Sequence, residues 1–113
     1  MAYDERLAGR IRAQLAARRD VAERKMFGGL TFMVAGQMCG GGGSETLMVR
    51  VGPEAHAEAL GRPHARPMDF TGRALRGMVY VDPPGIRTKR QLEAWIGRGV
   101  RFVESSARGR AGR

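Results

Sequence analysis

The sequence is short of cysteine, aromatic rings, acids and long apolar runs, and each shortage closes off a class of function. One cysteine, Cys39, stands in 113 residues. It cannot form an internal disulfide, which excludes a disulfide-stapled secreted scaffold and fits a reducing cytoplasm. Between positions 1 and 20 the residues Arg6, Arg10, Arg12, Arg18 and Arg19 break any apolar stretch, so neither a signal peptide nor a membrane span is expected. A cytoplasmic protein with no membrane partner is the expectation. Aromatic residues make up 6% of the chain, with one Trp. No aromatic stripe interleaves the basic residues and no helix-turn-helix or zinc-finger pattern occurs, so charge alone speaks for nucleic acid, and only for nonspecific contact.

Acids are outnumbered, 11 Asp and Glu against 20 Lys and Arg, for a formal net charge of +9. Such a balance favours anionic partners and solubility without fixing a function. Three of the charges, Arg108, Arg110 and Arg113, lie in a Gly-containing terminus with no apolar face to dock. Residues 106–113 are therefore expected to form a basic flexible tail. Leu, Ile, Val and Phe supply 22 of the 113 residues, near the level of about one fifth below which a highly charged chain stays disordered. Seven Met add apolar volume, and the apolar residues recur periodically, so one folded domain over residues 1–105 is expected.

After Asp4 and Glu5, the residues Leu7, Ile11 and Leu15 recur every four positions and predict a helix ending near Ala17, before Arg18 rotates onto the apolar stripe. Leu30, Phe32 and Val34 alternate with Thr31 and Met33 as a strand does. Ala35-Gly36 turns the chain into a return strand, Gln37 to Cys39, and Gly40 to Gly43 with Ser44 reads as a flexible loop. Leu47, Val49 and Val51 alternate with Met48 and Arg50 in a third strand. A short helix opens at Pro53 and closes at Gly61. Pro67 to Phe70 and Met78 to Val81 predict two more strands joined through Thr71 to Gly77. Thr88-x-x-Gln91 has the capping-box pattern ahead of Leu92, Trp95, Ile96, Phe102 and Val103, a third helix. The order α-β-β-β-α-β-β-α describes a two-layer α+β fold, with a five-stranded, mostly antiparallel sheet and helices on one face.

No motif supplies catalysis. The glycine run lacks the Gly-Lys-Ser/Thr of a phosphate loop and leads into a strand, and Gly28-Gly29 marks a bulge. Cys39, His56 and His64 lack ligand spacing, so no metal or cofactor is expected. Cys39 has no activating base placed by the sequence. Glu45, Glu54, Asp69, Asp82 and Glu93 fall on separate elements, with no pair for acid/base work. Binding candidates are Arg50, Arg73 and Arg76, whose guanidiniums suit phosphate or carboxylate. Met33, Met48 and Met78 would line the outer sheet face. Exposed there, they would call for a protein partner or a second copy of the chain, giving a homodimer through the sheet.

Four strings, Arg24-Lys25-Met26-Phe27-Gly28-Gly29, Leu47-Met48-Val49-Arg50-Val51-Gly52, Arg66-Pro67-Met68-Asp69-Phe70 and Met78-Val79-Tyr80-Val81, together resemble the TfoX/Sxy N-terminal domain family over residues 4–104. The resemblance implies the family's two-layer fold, similar to secretion-chaperone-like domains, and an association with transcriptional control of competence. It supplies no catalytic residues. The second domain of the full-length regulators is not expected here, which makes this a stand-alone N-terminal domain. The expected function is a non-enzymatic regulatory module acting through protein contacts. The alternatives are a nucleic-acid-binding accessory driven by charge, and a small-molecule domain resting on Gly28-Gly29 and Cys39.

Overall fold

Asp4 sets the start of the first helix by accepting hydrogen bonds from the backbone N–H groups of Arg6 and Leu7 at 2.8 and 3.3 Å, as an N-cap aspartate does. In the computed structural model, which describes residues 4–26, 29–43, 45–70 and 73–111, α1 spans Glu5–Gln14 and buries Leu7, Ala8 and Ile11. It stops short of Ala17 because Leu15 takes the C-cap position, where its N–H reaches back to Ile11 and Arg12. Arg18 points away from the apolar stripe, onto Asp20 and Glu104 at 2.9 and 3.2 Å.

The strands are β1 (Val21–Met26), β2 (Gly29–Val34), β3 (Gln37–Gly42), β4 (Leu47–Arg50), β5 (Ala65–Phe70) and β6 (Arg73–Val81). They form one antiparallel sheet in the order β1-β2-β3-β4-β6-β5. The fold is α+β as expected, with six strands instead of five. The added strand is β1, an edge whose residues Ala22 to Met26 are all exposed. A strand wet on both faces has no reason to alternate polar and apolar residues, so it carries no period-two signal.

A second difference concerns the glycine run. Gly40, Gly41 and Gly42 are not loop but the end of β3, paired across the sheet with Phe32, Thr31 and Leu30 on one side and Val49, Met48 and Leu47 on the other. A Cβ at Gly41 would run into the Leu30 carbonyl, and one at Gly42 would meet the Leu7 side chain at 2.8 Å. The bare backbone is what lets α1 lie down on the sheet and β2 and β3 close up.

Helix α2 is the short segment His56–Leu60, after a turn over residues 53–55. A 3₁₀ turn at Pro83–Ile86 leads to α3, Lys89–Ala111. Both bonds of the capping box are made: Gln91 N–H donates to Thr88 Oγ1 at 3.1 Å, and Thr88 N–H to Gln91 Oε1 at 2.9 Å. The backbone of residues 106–111, read from sequence as tail, continues this helix. Arg10 ties α1 to the chain entering α3 by donating to the carbonyl of Ile86 at 2.6 Å. No helix among the described residues is long and apolar enough to cross a membrane.

Alternation along the strands sorts the interior into two clusters. Leu30, Phe32, Val34, Leu47, Val49, Val79 and Val81 face the helices and meet Leu7, Ile11, Leu92, Trp95, Ile96 and Val103. Met48, Met68 and Met78 turn the other way and form a second cluster, with Met38 and Tyr80 packed against it. Met48 and Met78 are thus buried within the chain, at 1% and 6% exposure, and Met33 is half-buried. The bare methionine face that would have called for a second copy is not present.

Candidate functional site

The chain leaves β4 at Arg50 and must turn sharply to reach α2. Gly52, with φ of +89°, makes that turn, and Gly77, with φ of +86°, bulges toward it from β6. The Gly77 carbonyl accepts from the N–H groups of Val51 and Gly52 at 2.8 and 3.1 Å. Both glycines sit where a Cβ has no room: at Gly52 it would strike the Phe102 ring, and at Gly77 it would meet the backbone of Gly52 and Pro53 at 3.0 and 3.1 Å. Left-handed backbone and close approach together demand glycine here.

The contact between the turn and α3 leaves a cleft of about 440 Å³, walled by residues 51–55 on one side and by Arg98, Arg101, Phe102 and Ser105 of α3 on the other. Those helix residues share a face because they recur three and four positions apart. Phe102 is half-buried, and the Arg50 guanidinium lies 4.9 Å from its ring centroid, a cation–π geometry. Arg98 lies 5.1 Å from the Trp95 ring centroid and donates two bonds to Glu58 at 2.7 and 3.1 Å. Those bonds, helped by the nearby Arg62 charge, hold the Glu58 carboxyl below the usual carboxylate range. Arg101 is exposed and has no ion pair among the described residues. Glu54, also exposed, is the carboxylate of the lining. The cleft therefore combines an aromatic wall with an excess of guanidinium charge.

Of the three arginines singled out from sequence, Arg50 stands behind the aromatic wall. Arg76 is exposed on β6, just before the Gly77 bulge. Arg73 opens β6, where it pairs with Phe70, and its side chain lies outside the described residues. Sequence reasoning missed Arg98 and Arg101, and read Phe102 only as one of the apolar residues that define the helix. The available signal was the spacing of Arg98, Arg101 and Ser105 on the helix face that turns away from Trp95 and Ile96.

The titratable groups weighed for chemistry stay apart. Cys39 is buried, its Sγ 4.0 Å from the Ile96 carbonyl, and burial pushes its thiol up to about 11. It is a neutral core side chain at physiological pH. His56 opens α2 with its Nε2 buried and without a hydrogen-bond partner. His64 is exposed, with φ of +67°. No group of three or more His, Cys, Asp or Glu residues gathers among the described residues. Gly29 begins β2 without room for a Cβ, and Gly28 lies outside the described residues.

Compared with known proteins, the chain is matched by the family model of the TfoX N-terminal domain over residues 13–103. No curated protein and no solved structure matches it.

Proposed function

The chain belongs to the TfoX N-terminal domain family, and from that premise we propose that it is a non-enzymatic regulatory module working through protein contacts. The family is not one of known enzymes. The observation that carries the reading is the composition of the cleft beside Phe102: an aromatic wall, a proline, small residues and guanidiniums suit recognition. Aromatic rings and arginines are also the residues that dominate the energetics of protein interfaces. Arg50, Arg73 and Arg76 remain the proposed cationic contacts, with Arg50 acting at the cleft.

Affinity capture from a lysate of the source cells tests this. The intact protein is expected to retain a partner in stoichiometric amount that a folded Phe102→Ala variant does not retain. An empty capture, or one the substitution leaves unchanged, overturns the reading.

The net charge of +9 favours a second reading, nonspecific nucleic-acid contact. It predicts an affinity that falls steeply with salt and drops on removal of residues 106–113. Binding that ignores salt refutes it.

A further inference from the structure

We propose that the cleft between the 51–55 turn and α3 takes an acidic peptide segment in which a carboxylate side chain neighbours an apolar one. This deepens the protein-contact reading above and rests on it.

The first half of the argument is the apolar subsite. Phe102 is packed on one side against Gly52, where no other residue fits, and is met by the Arg50 guanidinium. Its ring is thereby fixed before any partner arrives, which lowers the ordering cost of binding. Val51 is buried and Pro53 exposed beside it. These surfaces, with a volume of about 440 Å³, accommodate an apolar side chain and a neighbouring residue, not a folded domain.

The second half is charge. The lining carries two guanidiniums, Arg98 and Arg101, and Arg50 stands at the ring; the opposing lining carboxylate is Glu54 alone. Arg98 is already held by Glu58 in two bonds and is mostly buried, at 18% side-chain exposure, so it gives shape and field more than a free donor. Arg101 projects from the next helical turn, exposed and without an ion pair among the described residues. A planar fork with free donors beside an apolar wall matches one carboxylate in bidentate geometry. Ser105, exposed one turn further on, offers a hydroxyl to the partner backbone.

A nucleic acid fits this place less well. A phosphate backbone is gripped by several free cations in succession, whereas the cleft presents Arg101 as its one lining guanidinium without an ion pair among the described residues, a carboxylate and a half-buried ring with Arg50 already beside it.

A display library of short random peptides, panned on the intact protein, reads the specificity directly. Enrichment of sequences joining Asp or Glu to an aromatic or aliphatic residue is expected. For a selected peptide, Arg101→Glu should weaken binding about tenfold or more, the loss expected for a charge-assisted pair. Arg101→Lys should lose part of that, and Arg24→Glu, exposed on β1 and outside the cleft, almost nothing. Enrichment of neutral or basic peptides, or acidic peptides indifferent to Arg101→Glu, would overturn the proposal. So would equal losses from Arg101→Glu and Arg24→Glu, which report net charge only. Oligothymidylate that binds more tightly than the selected peptide and loses its affinity with Arg101→Glu would assign the cleft to nucleic acid instead. A failed panning with an undiminished lysate partner sinks the acidic-peptide proposal and leaves the protein-contact reading standing; an empty lysate capture sinks that reading.

Discussion

Inward of the exposed edge strand β1, the two faces of the sheet are both covered, but by different chemistry. On the helix side, Phe32, Leu47, Val49, Val79 and Val81 interlock with α1 and α3; β-branched and ring side chains have few rotamers and demand matching shapes. On the other side Met48, Met68 and Met78 close the surface with flexible thioethers. Thr31 is buried among the sheet's outward-facing positions with its hydroxyl unpartnered. One face is specified by fit and the other by adaptability. Among the described residues neither leaves a broad apolar area bare, and the uncovered recess lies at the edge of α3.

The sharpest way to break this comparison is to delete volume on the helix side and flexibility on the other. Phe32→Ala should cost about 3–5 kcal/mol, because the surrounding helices cannot collapse into the space. Met48→Leu, which keeps volume and removes flexibility, should cost less than about 1.5 kcal/mol. Urea denaturation of the two variants checks both, and equal losses would erase the distinction between the faces. Gly41→Ala tests the backbone that separates them. Its new methyl would press on the Leu30 carbonyl and the Thr31 backbone, neither of which can swing aside, so a loss of about 3 kcal/mol, at the upper end of overpacking, is expected. A loss under 1 kcal/mol, on the order of propensity alone, would mean that β2 and β3 separate easily.

Most of the architecture was legible because burial writes itself into periodicity. The four-residue recurrence from Leu7, the alternation from Leu30 to Val34 and the Thr88-Gln91 box each appear in the structure as read. β1 was invisible for the converse reason: with Glu23 turned to Arg12 in two bonds at 2.7 and 2.8 Å and its neighbours in water, nothing in it repeats. The glycine run misled because flexibility and close packing ask for the same residue. Only the three-dimensional neighbours, Leu30 and Leu7, tell the two apart. The cleft was half legible. Arg50 was singled out for its guanidinium, but the turn that brings residues 51–55 against Phe102 depends on two glycines distant in sequence, Gly52 and Gly77. No local pattern joins those.

The helix-side face also contains a titratable probe. Cys39 holds its proton up to about pH 11 in the fold against an ordinary value of 9.0. Between those values the unfolded chain has lost the proton and the folded chain keeps it. The thiol's contribution is therefore fully present below about pH 9 and disappears as the pH climbs to about 11, a loss of about 3 kcal/mol. Comparing the protein with Cys39→Ala across this range isolates the effect from the titration of lysines and tyrosines, and parallel curves would place the thiol in contact with water.

The smallest expected effect sharpens the comparison most, because its sign differs from all the others. Thr31 is fully buried, and its Oγ1 finds no hydrogen-bond partner. A hydroxyl taken out of water without compensation costs about 1–3 kcal/mol, and valine has nearly its shape and the same preference for strands. Thr31→Val should leave the fold unchanged and raise its stability by about 1 kcal/mol, read as a higher urea midpoint at constant slope. A gain would show that the methionine face is dry and tolerates an unsatisfied hydroxyl only at a cost to stability. A loss of similar size would show that an ordered water reaches Thr31 between the thioethers, and that the adaptable face is the wetter of the two. Phe32 and its apolar neighbours have no buried hydroxyl to remove and allow no such reversal, so the sign of this one substitution separates a face closed by fit from a face closed by flexibility.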